Sequence, residues 1–340
     1  MWKNYFKIAL RTLKSSPIYS LISIGGLMLG MSCSLLIGLW VVHETSYNDF
    51  FPDQNRIYRV CINSTFNGNL ITDTNTPAPL AEALISDVPQ INHATKIANW
   101  GERLLIRNDQ SSIRETEFFA SDDFFNVFSV TPVLGDPVSA LQTADQIILS
   151  HTATKTLFGG LPALGESLTI ESLDGILKSY LVGAVIEDLP ANSSLQFDWA
   201  LNFREIEQPW MHWGNTSYQT FVKVGPYASI EDLEATAKGI YPAYTDFKNN
   251  YPIFQPLADI HLYGHFENGT PVGGRISGVR NLGLIGFLIL LVSCINFVSL
   301  VTARASARSK EIGIRKVLGA SAAQIITLLS KSYLVLILLG

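Results

Sequence analysis

The sequence predicts α-helical transmembrane segments carrying a large α+β extracytoplasmic domain, inserted between the first and second membrane helices. Three observations predict it. The chain of 340 residues is 47% hydrophobic with a mean hydropathy of +0.23, too apolar for an average soluble protein and too polar for a bundle made only of membrane helices. Long uncharged runs lie near both ends. Between them, residues 46–280 mix strand-like and helix-like stretches and hold 14 Lys and Arg against 27 Asp and Glu, a net charge of −13, while the rest of the chain sums to +8.

The elements follow in order. Residues 1–17 place Trp2, Phe6, Ala9, Leu10 and Leu13 at helical spacing, with Lys3, Lys7, Arg11 and Lys14 largely on the other side. This is an amphipathic helix suited to the inner membrane surface, bending near Pro17; a basic cytosolic tail is its alternative. Residues 18–42 contain no charged side chain, and as a helix they would span roughly 37 Å, enough to cross a bilayer. A cleaved signal peptide fits less well, because its apolar core is only ~7–15 residues long and no A-x-A-like site follows Val42. Residues 282–303 form a second membrane helix by the same test. Residues 321–340 start a third, which the end of the sequence cuts short, so the chain reads as a fragment or one half of a longer membrane protein.

Charge orients these helices, since flanks rich in Lys and Arg stay in the cytoplasm. Four bases precede the first helix without an acid, and Arg304, Arg308, Lys310, Arg315 and Lys316 follow the second against Glu311 alone. Residues 46–280 are therefore expected outside. Within them, Arg56–Asn63, Arg103–Asn108, Ser112–Phe119, Ser167–Ser172, Tyr180–Ile186 and Thr220–Val224 are strand-like by β-branched and aromatic enrichment. Ala78–Val88 reads as a helix, and a second is opened by Ser229 with Asp232 three residues on. Without a regular βαβ alternation the domain is α+β, of one or two lobes, with a lobe change expected between residues 110 and 145.

Enzyme chemistry finds no positive support. No G-x-x-x-x-G-K-[ST] occurs, and Gly273–Gly278 lacks the lysine of a phosphate cradle. His261 and His265 have i, i+4 spacing, yet Pro256 and Gly264 argue against a helix and no third ligand is evident, so structural histidines are expected. Trp210–Gly214 reads as lobe core ahead of an apolar ligand site. Cys33 and Cys294 lie in the membrane helices and Cys61 stands alone outside, so no disulfide framework can be drawn there. The sequons at Asn63, Asn192, Asn215 and Asn268 matter only in a secretory eukaryotic setting. No catalytic, metal or cofactor site and no nucleic-acid partner is expected.

In the membrane segments, Gly26 and Gly30 form G-x-x-x-G, which lets helix backbones approach closely, and the amide of Asn296 calls for a partner on a neighbouring helix. After the second helix comes a short basic one. Glu311 and Arg315 are i, i+4 partners, Ile312, Ile314, Val317 and Leu318 supply an apolar side, and Gly319 suits a left-handed helix end. Ser321 with Gln324 then caps the next helix.

At this point the chain resembles the FtsX/MacB-like permeases of ABC transporters. The resemblance rests on "KEIGIRKVLGAS" after the second helix, "HETSYNDFFPDQNRIYRV" after the first, "IILSHTATKTLFGGLPALGESLTI" and "VGAVIEDLPANSSLQFDWAL" in the outer domain, and "PLADIHL" and "SCINFVSLVTARASARSKEIGIRKVLGA" around the second helix. It covers essentially the whole chain, and the long "NDFFPDQNRIYRV" form after the first helix is most similar to relatives with two such modules in one chain. It implies a non-catalytic, multi-pass permease in a bacterial inner membrane. Residues 304–320 would be the cytoplasmic coupling helix, with Glu311, Ile312, Gly313, Arg315, Lys316, Val317, Leu318 and Gly319 docking on a separate ABC ATPase. A second permease module or a homodimer partner is implied as well. The family's mechanism implies that ATP-driven motion is carried through the first two membrane helices to the outer domain, moving a peptide, lipoprotein or antibiotic-type substrate. The rival expectation is a two-helix membrane receptor with an extracytoplasmic ligand-sensing domain; it predicts a long cytoplasmic region, whereas only about 30 residues separate Ala303 from the next apolar run.

Overall fold

A computed structural model describes residues 17–107, 111–159, 162–171, 175–307, 313–314, 316–319 and 321. The amphipathic helix expected before Pro17 and the third apolar helix expected beyond Ser321 lie outside the described residues. In chain order the elements are α1 (Pro17–Thr45), β1 (Ile57–Phe66), β2 (Asn69–Asp73), β3 (Thr76–Pro77), α2 (Leu80–Asp87), β4 (Ile91–Ala98), β5 (Glu102–Arg107) and β6 (Ser111–Thr116). Next come β7 (Phe119–Ala120), α3 (Phe124–Val127), β8 (Pro132–Gly135), α4 (Pro137–Gln142), β9 (Gln146–Ser150), α5 (His151–Phe158), β10 (Ser167–Glu171), β11 (Leu177–Ile186) and β12 (Trp199–Asn202). The last are β13 (Thr216–Val224), α6 (Ile230–Ala237), α7 (Ile240–Tyr244), β14 (Tyr251–Pro256), β15 (His265–Glu267), β16 (Thr270–Gly273) and α8 (Arg275–Ala307).

Two compact units result, one of residues 1–43 and 277–340 and one of Glu44–Ile276. Among the described residues, Ile24–Thr45 and Arg275–Ser299 are the helical stretches long and apolar enough to cross a membrane, and most of each lies in the first unit. The second unit is α+β. Its main sheet runs in the order β14-β1-β13-β4-β7-β12-β9-β11-β10-β5-β6, with β2, β3 and β8 attached beside β1, β13 and β11. Along that path all neighbours are antiparallel except β7 with β12 and β9 with β11. The sheet has a waist where β7 meets β12 through only Phe119↔Leu201 and Asn202↔Ala120. No single lobe change falls between residues 110 and 145. The chain crosses the waist between β4 and β5, between β6 and β7, between β7 and β8, and again between β12 and β13, because edge hairpins return to strands already laid down.

Local sequence explains most elements. Asn67-Gly68 and Asn268-Gly269 both take positive φ at the two turn positions, the geometry a two-residue hairpin needs to match strand twist, and they join β1 to β2 and β15 to β16. Ser229 caps α6 by accepting from the Asp232 N–H at 3.4 Å, and Ser150 caps α5 by accepting from the Ala153 N–H at 3.0 Å. Gly159 ends α5 with φ +64.

Three apolar clusters fill the domain. Near the waist, Phe118 stacks on Phe197 at 4.1 Å and meets Phe124 at 5.2 Å, with Phe51, Phe128 and Phe221 around them; such offset and edge arrangements suit the ring quadrupoles. A second cluster surrounds the fully buried Trp199, and a third seats α2, α6 and α7 against β1, β4, β13 and β14. The "WMHWG" stretch divides: Met211 is buried in the second cluster, Trp213 packs on Tyr241 and Tyr244, and Trp210 is exposed.

A hydrogen-bonded staple then fixes the segment that follows α1. Asn48 is fully buried with φ +65. Its Nδ2 donates to Ser194 Oγ at 2.9 Å and to the Leu257 carbonyl at 3.0 Å, and its Oδ1 accepts from the Ser194 N–H at 2.8 Å. Its own N–H reaches the Asn192 carbonyl at 2.9 Å, and Asn192 Nδ2 returns to the Ser46 carbonyl at 2.7 Å. Replacing Asn48 by Gly should destabilise the domain by about 1–3 kcal/mol, chiefly through the buried Leu257 carbonyl left unsatisfied. Asn48→Ala should cost about 1 kcal/mol more because of the left-handed backbone. Thermal unfolding of the full chain with both variants checks the order, and equal midpoints for Ala and Gly would contradict it.

Candidate functional site

Three local arrangements belong to the regions the sequence singles out. The first is the close packing of α1 on α8. Gly30 lies so tight against α8 that an added Cβ would sit 1.7 Å from Ser293 Oγ, and a Cβ on Gly26 would meet Asn296 Nδ2 at 3.2 Å. Further along, Ser34 Oγ donates to the Gly286 carbonyl at 2.9 Å, and a Cβ on Gly286 would strike Ile37 Cγ2 at 2.8 Å. The pairing of low with high numbers makes the two helices antiparallel. Small residues at 26, 30 and 34 thus form one stripe of α1, and Gly286 and Ser293 answer it from α8. Packing of this kind brings backbones close in a medium where apolar burial gives no drive to associate. Ser293 Oγ also donates back to the Ile289 carbonyl at 2.8 Å, so its hydroxyl is satisfied within its own helix. The remaining faces carry exposed apolar side chains such as Leu29, Leu35, Leu36, Phe287, Val292 and Ile295.

The second arrangement is the turn at residues 313–319. The Leu318 N–H reaches the Ile314 carbonyl at 3.0 Å and the Gly319 N–H reaches that of Lys316 at 3.2 Å. Gly319 has φ +90, a conformation that a side-chain-bearing residue rarely takes. Ile314, Val317 and Leu318 stand at i, i+3 and i+4 and are 62%, 89% and 80% exposed. Lys316 and Gly313 share this turn and are exposed too. Glu311, Ile312 and Arg315 lie outside the described residues, as does Gln324, the partner proposed for Ser321.

The third lies in the domain unit, at the residues contiguous with the two helices. Glu44 is buried, and its Oε2 pairs with His261 Nε2 at 2.7 Å and with Arg275 Nη1 at 3.9 Å. Tyr47 stacks on the His261 ring at 3.3 Å, nearly parallel. One residue on, the Leu262 carbonyl accepts from the Ile276 N–H at 3.1 Å. Gly274, at φ +140, lets this approach happen, since a Cβ there would lie 2.8 Å from that same carbonyl oxygen. His265, by contrast, starts β15 and pairs with Glu267 at 3.3 Å. The two histidines are thus in different settings and do not form a helical i, i+4 pair. Glu44 and Asn48 carry no local signal of their own and Asn192 reads only as a sequon, yet "HETSYNDF", "ANSSL" and "PLADIHL" belong to the motifs of the resemblance, and they meet here.

Gly30→Ala should weaken the α1/α8 pairing, lowering the detergent-unfolding midpoint of the full chain, and adding Ser293→Gly should restore it by removing the atoms the new methyl group meets. A double variant no better than Gly30→Ala alone would contradict the packing.

Known proteins resemble the chain in sequence and in fold. Residues 20–240 match the MacB-like periplasmic core domain, and residues 283–340 match the FtsX-like permease C-terminal domain. No curated protein matches by sequence. Among solved structures, a domain of a protein designated a permease, from Porphyromonas gingivalis, aligns with a TM-score of 0.53 at 23% identity over 71% of this chain and 99% of its own. The periplasmic region of MacB from Actinobacillus actinomycetemcomitans aligns at 0.41 and 13% identity, over 59% of this chain and 89% of its own. The extracellular domain of the ABC-type transporter YknZ from Gram-positive bacteria aligns at 0.42 and 11% identity, over 58% and 99%. With an α+β core domain that fills most of the matched length and an FtsX-like segment after it, the chain belongs to the FtsX/MacB-like permease family.

Proposed function

We propose that the protein is a non-catalytic permease subunit of an ABC transporter in a bacterial inner membrane, multi-pass, with residues 46–280 outside the cell membrane. ATP hydrolysis belongs to a separate subunit. That ATPase docks on residues 311–320, and a second permease module or a second copy completes the complex. Movement at the docked segment passes along α1 and α8, held by Gly26, Gly30 and Asn296, and reshapes the outer domain. A peptide, lipoprotein or antibiotic-type molecule is thereby exported or extracted.

The observation that carries this reading is the turn ending at Gly319. Three large apolar side chains project from one short turn inside the stretch that matches the FtsX-like domain, beside Lys316. An apolar patch with flanking charge is what a groove on a partner protein recognises. A left-handed glycine stop keeps the turn short, so displacement is passed on where a flexible loop would absorb it. In the sequence, Glu311 and Arg315 stand at i, i+4 in the order that favours a helix.

Two outcomes test the proposal. In the reconstituted complex, Glu311→Lys and Gly313→Trp should each abolish stimulation of the partner's ATP turnover at equal membrane abundance. Unchanged turnover together with unchanged retention of the ATPase would refute docking. A basic segment held only by anionic lipid would tolerate the bulk at Gly313 and gain from losing the acid. For topology, a Cys introduced at Asn268, in the exposed β15–β16 turn, should react with an impermeant thiol reagent on intact cells, while one at Ser309 should not. The reverse pattern would invert the assignment of sides.

A further inference from the structure

Among the described residues β14 is the last strand on its side of the main sheet, paired with β1 and with no strand beyond it. The register tells which of its backbone groups are free. Phe66↔Asn69 closes the two-residue turn between β1 and β2 and is a hydrogen-bonded pair, so Ile62, Ser64 and Phe66 aim their N–H and C=O at β2. Arg59, Cys61 and Asn63 then aim theirs at Gln255, Ile253 and Tyr251 on the opposite side. Pro252, Phe254 and Pro256 are left turned away from the sheet. Because proline has no N–H, this edge offers carbonyl acceptors and a single donor, the N–H of Phe254.

A groove of about 300 Å³ runs along that edge, lined by all of residues 251–256. Glu234 and Lys238 line it from α6 and its end, and Phe266 and Pro271 from the β15–β16 hairpin. The hairpin is tied to β14 through Asn63, whose buried Nδ2 donates to the Gly269 carbonyl at 3.2 Å and to Tyr251 Oη at 3.3 Å. At the Tyr251 end, Lys238 Nζ lies 5.6 Å from the centre of the Tyr251 ring. Among the described residues no carboxylate pairs with that ammonium, Glu234 one turn earlier included.

These features specify an occupant. A strand antiparallel to β14 ends where β14 begins, so its final carboxylate arrives beside Tyr251, at Lys238. We propose that the free edge of β14 receives the extended C-terminal segment of a partner polypeptide as an added antiparallel strand, with the terminal carboxylate held by Lys238. The third residue from the partner's C-terminus faces Phe254 and exchanges two hydrogen bonds with it, and the last residue donates its N–H to the Pro252 carbonyl. Added strands and captured carboxylates are both recurring modes of peptide recognition. A second copy of this chain fits the edge less well. With Phe254 opposite its own counterpart, a proline would meet a proline on either side and only two bonds would form, whereas a proline-free segment makes at least three.

The inference goes beyond the coupling reading, and its test needs neither ATP nor transport. Fluorescence anisotropy would use the full chain in lipid nanodiscs and a dye-labelled Gly-Ser-Val-Thr-Val probe with a free C-terminal carboxylate. Binding should appear below about 1 mM, because main-chain contacts tolerate many side chains. Methylating the amide nitrogen of the last residue, or of the third from the end, should weaken binding at least about fivefold by removing a hydrogen bond. Methylating the nitrogen between them, which faces away from β14, should change it less than about twofold. The probe's C-terminal amide should bind about three- to fivefold more weakly than the acid, as expected for loss of an exposed ion pair. Lys238→Gln, at an exposed position, should bring the acid down to the amide's affinity and leave the amide unchanged. Absence of binding at that concentration, equal effects of the three methyl groups, equal binding of acid and amide, or an unaltered Lys238→Gln would each overturn the proposal. Any of those results would leave docking of the ATPase untouched, just as a failure of docking would leave the peptide titration standing.

Discussion

The buried amide of Asn48 is the constraint on which much of the domain's order depends. It satisfies three polar groups at once, two of them on Ser194 and one the carbonyl of Leu257. Those groups lie 146 and 209 residues from Asn48 along the chain, and leaving the buried Leu257 carbonyl without a partner would cost about 1–3 kcal/mol. The backbone at Asn48 must be left-handed to aim the amide inward, and asparagine is among the few side-chain-bearing residues that take this conformation readily. Glu44, His261 and Tyr47 extend the same cluster with a hydrogen bond and a stacked ring. The segment that continues from α1 is thus held by directional contacts, which resist sliding in a way that apolar packing alone does not.

The α1/α8 pair relies on a different force. Its outward faces are apolar, so lipid would solvate them as well as another helix would, and association must come from close backbone approach. That explains why Gly30 admits no methyl group while Leu29, next to it in sequence, is 71% exposed. Polar cost is avoided inside the helices: Ser34 and Ser293 both find backbone carbonyls. One protein therefore uses hydrogen-bonded specificity in its water-facing unit and steric fit in its apolar one, each where the solvent makes it effective.

The waist of the sheet has its own consequence. Two short strands, β7 and β12, join halves that each carry their own apolar cluster, and the phenylalanine group around Phe118 and Phe124 fills the space behind that seam. Strand pairing there is minimal, so aromatic packing does more of the joining. A cavity opens at this seam, where β4, the turn after β7 and the end of β12 bring Lys96, Asp122 and Asn202 together. Its walls belong to elements distant in sequence, and for that reason no local motif announces it.

The sequence by itself determined the features that depend on near neighbours. Uncharged runs gave the two long apolar helices, Ser229 its cap, Gly319 its left-handed stop, and enrichment in β-branched and aromatic residues the strands β1, β5, β6, β10, β11 and β13. Asn-Gly at 67–68 and 268–269 is equally legible as the turn of a hairpin. Strands β4, β9 and β12 were not readable in the same way: they are buried almost continuously, so the alternation that marks a half-exposed strand is missing. Only the tertiary structure decided that the chain crosses the waist repeatedly, that His261 belongs with Glu44 and not with His265, and that Lys96 faces Glu82 and Glu207. Those outcomes are set by long-range strand pairing and by the need to satisfy buried polar groups, and such partners share no local periodicity that a linear reading can detect.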